Sequence, residues 1–387
     1  MNPKQPRLGV LCWGLIGGSS VAAQRSAKLL ASSGFEVHIA GYSPRADTPP
    51  LAGLKTLRGN PEQAIAAWAE SRRLDLVQVH HGWPLGAIAA RALGGRIAFT
   101  LNLHGTEVLR ELPWLNAAEQ ACALAAPSQD LADRAEAQLS RAGSPRSIAV
   151  LPSPLGPEWF EGDLPIRPRN AGRLRVAHVS TGRAIKQVPV VLRACGRAAR
   201  ELDRQGVRLE LDLIGPGQGE TTLRLARELG LAGQVRTLGC LPPGPAWTDG
   251  AGEGFDALLL ASRFESFSLV AQEALARGVE PIGPAVGGLP ECYGELGLGT
   301  WVAPQAPGLD RRLSAALVDF SASRSDDPER PLRSREILRS HYGWPALSPL
   351  WKTWSWAAAH PFSRASNSPY ERLFGPQRDL SAASGSA

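Results

Sequence analysis

"RLGVLCWGLIGGSSVAAQRSAKLLASSGFEVHIAGYS", residues 7–43, can be read in two ways. A basic start, an apolar run and small residues are what a secretion signal offers. The other reading is a short buried strand, a glycine turn, a helix with an apolar stripe that stops at Gly34, and a second strand. The residues that follow favour the second reading, because they repeat it. "PEQAIAAWAESRR" reads as a helix, "LDLVQVHHG" as a strand, "PLGAIAARALGG" as a helix and "RIAFTLNLHG" as a strand. "ACALAAPS", "DLADRAEAQLSRAG" and "SIAVLPSP" continue the series.

Around "FEGDLPIRPRNAGR" the pattern lapses into proline, glycine and charge, as a linker does. The alternation then restarts. "LRVAHVST", "RLELDLIG", "QVRTLGCL" and "DALLLAS" read as strands. "VPVVLRACGRAARELDRQG" and "ETTLRLARELGLAG" read as helices, and "PPGPAWTDGAGEGF" as a loop. "DRRLSAALVDFSA" and "LRSREILRSHYGWPALSPLWKTWSWAAA" are helical near the end. Such alternation predicts an α/β chain with two doubly wound, Rossmann-like domains, each a parallel sheet with helices on both faces. The boundaries fall at residues 1–165 and 172–344, and residues 363–387 form a polar, flexible tail. Ligands of open parallel sheets bind at the carboxyl ends of the strands, so the turns there are the places to look for chemistry.

The chain of 387 residues is 43% hydrophobic and 20% charged, which suits large buried cores and excludes disorder. A net charge of +6 and a pI near 9.3 suit an anionic ligand. The arginines are scattered, with no basic run, so nucleic acid is not an expected partner. The five cysteines include no CxxC pair, which argues against structural zinc or a disulfide framework and fits a reducing cytoplasm. No apolar run approaches the ~20 residues of a membrane span.

"RFESFSLVAQEALARGVEPIGPAVGGLPE", Arg263–Glu291, carries the densest signal. A strand, "DALLLAS", leads into it, and "SLVAQEALARG" is the next helix. Free N–H groups near Ser266, Phe267, Ser268 and Leu269 would point out of that helix start and attract phosphate. Glu265 stands just before the helix and Glu273 about two turns into it. A carboxylate beside an anion site repels phosphate unless it serves a neutral group, and sugar hydroxyls are such groups. A helix-capping glutamate and a solvated helix face would explain the same residues. "HVSTGRAIKQ" offers two cations, Arg183 and Lys186, after a strand end. With no D-x-D motif and no His/Cys cluster, fixed cations would neutralise a diphosphate leaving group. "GGSS", Gly17–Ser20, lets a ligand approach bare backbone, or is simply a tight turn. In "LNLHGTE", His104 ends a strand before Gly105 and Thr106.

The Arg263–Glu291 string resembles the E-x7-E signature of the retaining glycosyltransferases of family 4, which have the GT-B fold. The resemblance implies two domains facing a cleft, with helices at about 345–362 crossing back to the first domain. It implies that Glu265 holds the donor sugar, Glu273 the nucleotide ribose, and the backbone of Ser266, Phe267, Ser268 and Leu269 the diphosphate. It places Arg183 and Lys186 on the diphosphate with no obligatory metal or other cofactor. Catalytic roles thus fall to Glu265, His104, Arg183 and Lys186. Gly17 and Gly18 would serve the donor, and Ser19, Thr106 and Trp83 the acceptor. "GGSSVAAQRSAKLLASSGFEVHIAGYSP", "LNLHGTE" and "HVSTGRAIKQV" narrow the likeness to the subgroup that passes N-acetylglucosamine from UDP to L-malate in bacillithiol biosynthesis. The chain departs from that subgroup at Ser268, usually glycine, and at Gly82 and Trp83, where a tyrosine is expected. It also has "RGVE" for "CGVP", and "SPLG" for an "NFID"-like string.

The expected partners are a nucleotide-sugar donor and a small-molecule acceptor, with peripheral membrane contact and a homodimer left open. Two rivals stand beside this reading: a glycosyltransferase of polysaccharide or lipid-linked glycan synthesis, and a non-catalytic nucleotide-sugar-binding relative.

Overall fold

The structure, a computed structural model, describes residues 5–14, 17–42, 54–111, 113–164, 172–217, 219–241, 254–305 and 307–360. These form two compact units. The first holds the described residues up to Pro127, Ala132–Leu151 and those from Ser348 onward; the second holds Ser128–Leu131 and Pro152–Leu347.

Among the described residues, the first unit contains a seven-stranded parallel sheet. Its strands are β1 (Arg7–Trp13), β2 (Glu36–Tyr42), β3 (Lys55–Leu57), β4 (Leu76–His80), β5 (Ala98–Asn102), β6 (Ala123–Ala126) and β7 (Ala149–Val150). They lie in the order β3-β2-β1-β4-β5-β6-β7. The stretch with two readings is therefore a central strand: Leu8 lies opposite Val37 on β2 and Leu76 on β4. Leu8, Val10 and Leu11 are wholly buried, as a strand covered on both faces must be. Gly9 permits close packing, since a Cβ there would stand 2.5 Å from Leu74 Cδ1 and 2.8 Å from Trp68. The helix Gly18–Ser32 follows, with Ala22, Ala23, Ala27, Leu29 and Leu30 buried along one stripe.

The second unit repeats the plan with β8 (Arg173–Val179), β9 (Arg208–Ile214), β10 (Val235–Gly239), β11 (Ala257–Leu259), β12 (Glu280–Pro284) and β13 (Thr300–Val302). Their order is β10-β9-β8-β11-β12-β13, again all parallel. Leu174, Val176, Leu211 and Leu259 from the strands bury against Val191 and Leu192 of the helix Val188–Arg204. Each fully buried aliphatic side chain of this kind contributes about 1.5–3 kcal/mol. In both sheets the strand order reverses once, beside β1 and β4 in the first and beside β8 and β11 in the second. Those switch points are where an open α/β sheet leaves a crevice.

The terminal helical run is broken into two helices, Arg330–Tyr342 and Trp344–Ala359. The break is at Gly343, extended at φ −69° and ψ 159°. A Cβ there would meet the Arg339 carbonyl oxygen at 2.5 Å. Pro345 then sits in the first turn of the new helix, where its missing N–H costs nothing. From Ser348 onward this helix belongs to the first unit, with Trp351 and Trp354 buried. Ser348 Oγ is 2.7 Å from Ser33 Oγ, and buried Gln78 on β4 donates to Ser355 Oγ at 2.8 Å. The expected tail, residues 363–387, lies outside the described residues, as do residues 165–171 of the expected linker and 242–253 of the expected loop. No described helix is long and apolar enough to cross a membrane.

Candidate functional site

In the second unit, the loops leaving β8 and β11 are tied together at the switch point. The Arg263 N–H donates to the Ile185 carbonyl at 2.9 Å, and Gln187 Nε2 donates to the Ala261 carbonyl at 2.7 Å. His178, near the end of β8, has Nδ1 2.8 Å from the Leu259 carbonyl and Nε2 3.0 Å from Ser180 Oγ. Burial holds this ring down to a pKa of about 4, outweighing the opposing pull of the Leu259 carbonyl. It is therefore a neutral strut between two strands.

These ties bring Glu265 and Lys186 together. Lys186 Nζ lies 2.5 Å from Glu265 Oε1, with side chains 18% and 8% exposed. Ser262 Oγ donates to the same oxygen at 2.5 Å. The carboxylate at the mouth of the helix Leu269–Ala276 is thus neutralised by a partner from the other loop. Glu265 does not cap that helix: the residue before the helix is Ser268, and no side chain caps it. Ser268 adopts φ 62° and ψ 81°, the left-handed region where a glycine would be unstrained. Its hydroxyl is buried without a hydrogen-bond partner among the described residues.

Ser266 is half-buried, and the Phe267 side chain turns inward, edge-on to Tyr342 with ring centroids 5.3 Å apart. Tyr293 Oη donates to the Ser268 carbonyl at 3.3 Å. What this segment offers a ligand is therefore its backbone rather than the Phe267 side chain. Glu273 is buried on the helix itself. Gly287 and Gly288 lie against this backbone. A Cβ on Gly287 would stand 2.1 Å from the Glu265 carbonyl oxygen, and one on Gly288 would stand 2.3 Å from that of Ser266. The Gly288 N–H donates to the Glu265 carbonyl at 2.9 Å. Arg183 remains exposed, its Nε 3.1 Å from Thr181 Oγ1. The two cations read from one motif thus differ: Lys186 is paired to a carboxylate and Arg183 faces solvent.

The first unit gathers a separate set of residues at its own strand ends. Gly17, at φ 124°, precedes the helix Gly18–Ser32, and a Cβ on Gly17 or Gly18 would meet nothing within 4 Å among the described residues. Ser19 is half-buried, while Ser20 Oγ turns back to the Trp13 carbonyl at 3.2 Å. His104 follows β5, with Nε2 3.2 Å from His80 Nδ1. Thr106 begins the short helix Thr106–Leu109, and Trp83 lies half-buried in the turn after β4. Sequence reasoning missed Glu107, which is fully buried: its Oε1 accepts the His104 N–H at 2.9 Å and the Gly82 N–H at 3.1 Å. The signal was an acidic residue three positions after a strand-end histidine. It also missed Ser262 and His178, whose roles depend on contacts across the sheet that no local pattern displays.

Two family descriptions match the chain in turn. "Glycosyltransferase Family 4" matches residues 16–155, and "Glycosyl transferases group 1" matches residues 173–319. The N-acetyl-alpha-D-glucosaminyl L-malate synthase of Bacillus anthracis is 28% identical over 328 residues, which is 75% of this chain and 82% of that protein. The D-inositol 3-phosphate glycosyltransferase of Corynebacterium glutamicum (strain R) is 33% identical over 145 residues, 37% of this chain and 30% of that one. Among solved structures, Anabaena HepE in complex with UDP and glucose has a TM-score of 0.71 at 16% identity, covering 91% of this chain and 100% of its own. The sucrose-phosphate synthase of Thermosynechococcus elongatus has a TM-score of 0.72 at 18% identity, covering 91% and 98%. The two family matches fall one on each unit, over sheets of the same doubly wound order: the chain is a glycosyltransferase of the family 4 type, built on the GT-B plan.

Proposed function

We propose that the protein transfers N-acetylglucosamine from UDP-N-acetylglucosamine to a small hydroxylated acceptor such as L-malate, with retention and without a metal. The observation that carries this reading is the Lys186–Glu265 pair beside an uncapped helix start. A neutralised carboxylate can accept hydrogen bonds from sugar hydroxyls while a diphosphate sits on the helix N–H groups beside it. Glu273 serves the ribose, and exposed Arg183 supplies the cation that grows in value as the diphosphate leaves. In the transfer, a bond forms between the acceptor oxygen and the anomeric carbon as the bond from that carbon to the phosphate oxygen breaks. The acceptor's proton passes to the departing phosphate oxygen on the same face, and UDP is released.

Thr106, Trp83 and Ser19 of the first unit serve the acceptor in this reading, and His104 acts with the catalytic groups. L-malate is favoured by the synthase relative and by the basic balance of the chain. All five cysteines are free, which suits a cytoplasmic reaction. The experiment is to incubate the protein with UDP-N-acetylglucosamine and L-malate and follow UDP and the glycoside by mass. A malate glycoside is the expected product. Transfer only to an inositol phosphate or a glycan primer would remove malate as acceptor, and nucleotide binding with no glycoside from any acceptor would remove the catalytic reading.

A further inference from the structure

Past the Ala257–Val176 and Leu258–Ala177 pairs, the backbone ladder between β8 and β11 gives out among the described residues. Strand β8 goes on beside β9 as far as the Val179–Ile214 pair. Two neighbouring strands that part in this way make the crevice of a switch point. The His178 ring, 1% exposed, bridges it from β8 to the Leu259 carbonyl of β11.

The direction of proton sharing is set by a group that cannot donate. The Leu259 carbonyl only accepts, so the 2.8 Å contact puts the proton of the ring on Nδ1. A neutral imidazole has one N–H. Burial, helped by Lys186, keeps this ring neutral against the pull of the Leu259 carbonyl and of Glu265. Nε2 is then bare, and the Ser180 hydroxyl 3.0 Å away must donate to it. With its one proton so committed, Ser180 Oγ accepts the Gly182 N–H at 3.4 Å. Thr181, the next residue after Ser180, accepts from Arg183 Nε through its own hydroxyl at 3.1 Å. Bare backbone supports the same turn from behind: Gly182, at φ 67°, lies where a Cβ would stand 3.1 Å from the Pro216 carbonyl oxygen.

We propose that His178 and Ser180 are positioning residues for Arg183. His178, pinned to β11 in its Nδ1–H form, aims the Ser180 hydroxyl, and Ser180 holds the Gly182 N–H, so that the turn carrying Arg183 keeps one conformation. This rests on the reading of Arg183 as the cation on the departing diphosphate. Among the described residues the guanidinium is bonded through Nε alone, and its two terminal nitrogens can take two phosphate oxygens. A cation already in place needs no reorganisation when charge develops, so the effect of the turn falls on the step in which UDP departs. The same ring ties β8 to the strand that leads to Glu265, which gives the Lys186 and Glu265 loops a common anchor.

The test is long-range 1H–15N correlation spectroscopy near pH 7 on the full chain with 15N-labelled histidine. The protein has seven histidines, and the spectrum of His178→Asn assigns the ring of interest. It should be neutral with the proton on Nδ1, the form that histidine in water disfavours. A proton on Nε2, or a charged ring, would overturn the proposal. Ser180→Ala should lower kcat about tenfold, the worth of one hydrogen bond, and weaken UDP binding by a similar factor, since UDP carries the charge of the departed state. The donor KM should stay within about twofold. Both losses should vanish when Ser180→Ala is made in the Arg183→Ala protein, because a residue that acts through Arg183 then has nothing to position. Additive losses in the double variant would overturn the proposal, as would unchanged kcat and UDP affinity in a folded Ser180→Ala protein. His178→Asn keeps a donor for Leu259 and removes the acceptor for Ser180, and it replaces Ser180→Ala in the same cycle should that variant fail to fold. If the wild-type protein transfers no sugar, the functional reading falls, and the spectrum with the UDP affinities of the single and double variants still decides the positioning.

Discussion

Glu265 and Lys186 neutralise each other, which divides the work between two cations that sit three residues apart in sequence. In the proposed reaction, the charge left over for a leaving diphosphate is that of Arg183. Arg183→Ala should lower turnover by roughly one to two orders of magnitude, the worth of one charge-assisted hydrogen bond formed as the leaving group departs. Lys186→Met should act first on stability. It leaves a buried carboxylate unpaired, at a cost of ~3 kcal/mol, readable as a fall in the midpoint of denaturant unfolding. Glu273→Ala should raise the donor KM and spare kcat, since a ribose is held alike in the ground and transition states. A fall in kcat at saturating donor with unchanged KM would contradict that role. On the proposed metal-free reading, with Arg183 supplying the charge, turnover should also survive EDTA; loss in chelator with rescue by magnesium or manganese would show otherwise.

At the scale of elements, the Gly287–Gly288 turn acts as a bare surface on which the Glu265–Ser266 backbone rests. Gly288→Val places branched carbon where 2.3 Å separates a Cβ from the Ser266 carbonyl oxygen. The loop before the helix must shift, so the thermal midpoint should fall and UDP affinity should drop together; a variant that binds UDP as tightly as the wild type would show that the turn does not shape the site. The strands and most helices were legible in the sequence because their signals are local, as in the apolar run of β1 and the glycine-bounded stripe of Gly18–Ser32. The E-x7-E string was legible too, since both glutamates belong to one loop and helix. The pairing of Glu265 with Lys186 was not: it joins residues 79 positions apart through two strand-end loops. Nor was the break at Gly343, where a helical apolar pattern runs on across a residue that is extended. The Ser268 conformation was hidden for the opposite reason, because serine gives no local sign of a positive φ.

At the scale of the whole molecule, two buried histidines, His80 and His178, and the half-buried His104 make stability depend on pH. His80 and His104 sit at about 3 and His178 at about 4, all below the ~6.5 of an unfolded chain. Between pH 6.5 and 5 the unfolded chain takes up protons that the folded chain refuses, so stability should fall as the solution is acidified through that window. Glu280 and Glu291, which burial raises, oppose this, because their folded forms hold protons more readily. Their opposition grows nearer the carboxylate range. Thermal midpoints measured from pH 7 to 5 should therefore decline, and a flat or rising series would mean that these rings are not neutral in the folded protein.

The bond from Gln78 to Ser355 joins the centre of the first sheet to the far end of the chain, 277 residues later. During synthesis the ribosome would release β1 to β7 long before the helix Trp344–Ala359. Until that helix emerges, the nascent first unit lacks its partner for Gln78 and the cover supplied by Trp351 and Trp354. Loop-closure entropy of that length must be met before the contact forms. The unit made first is therefore the one finished last, and a growing chain would present it unfinished to chaperones while the second unit, continuous from Pro152 to Leu347 apart from Ser128–Leu131, can already close.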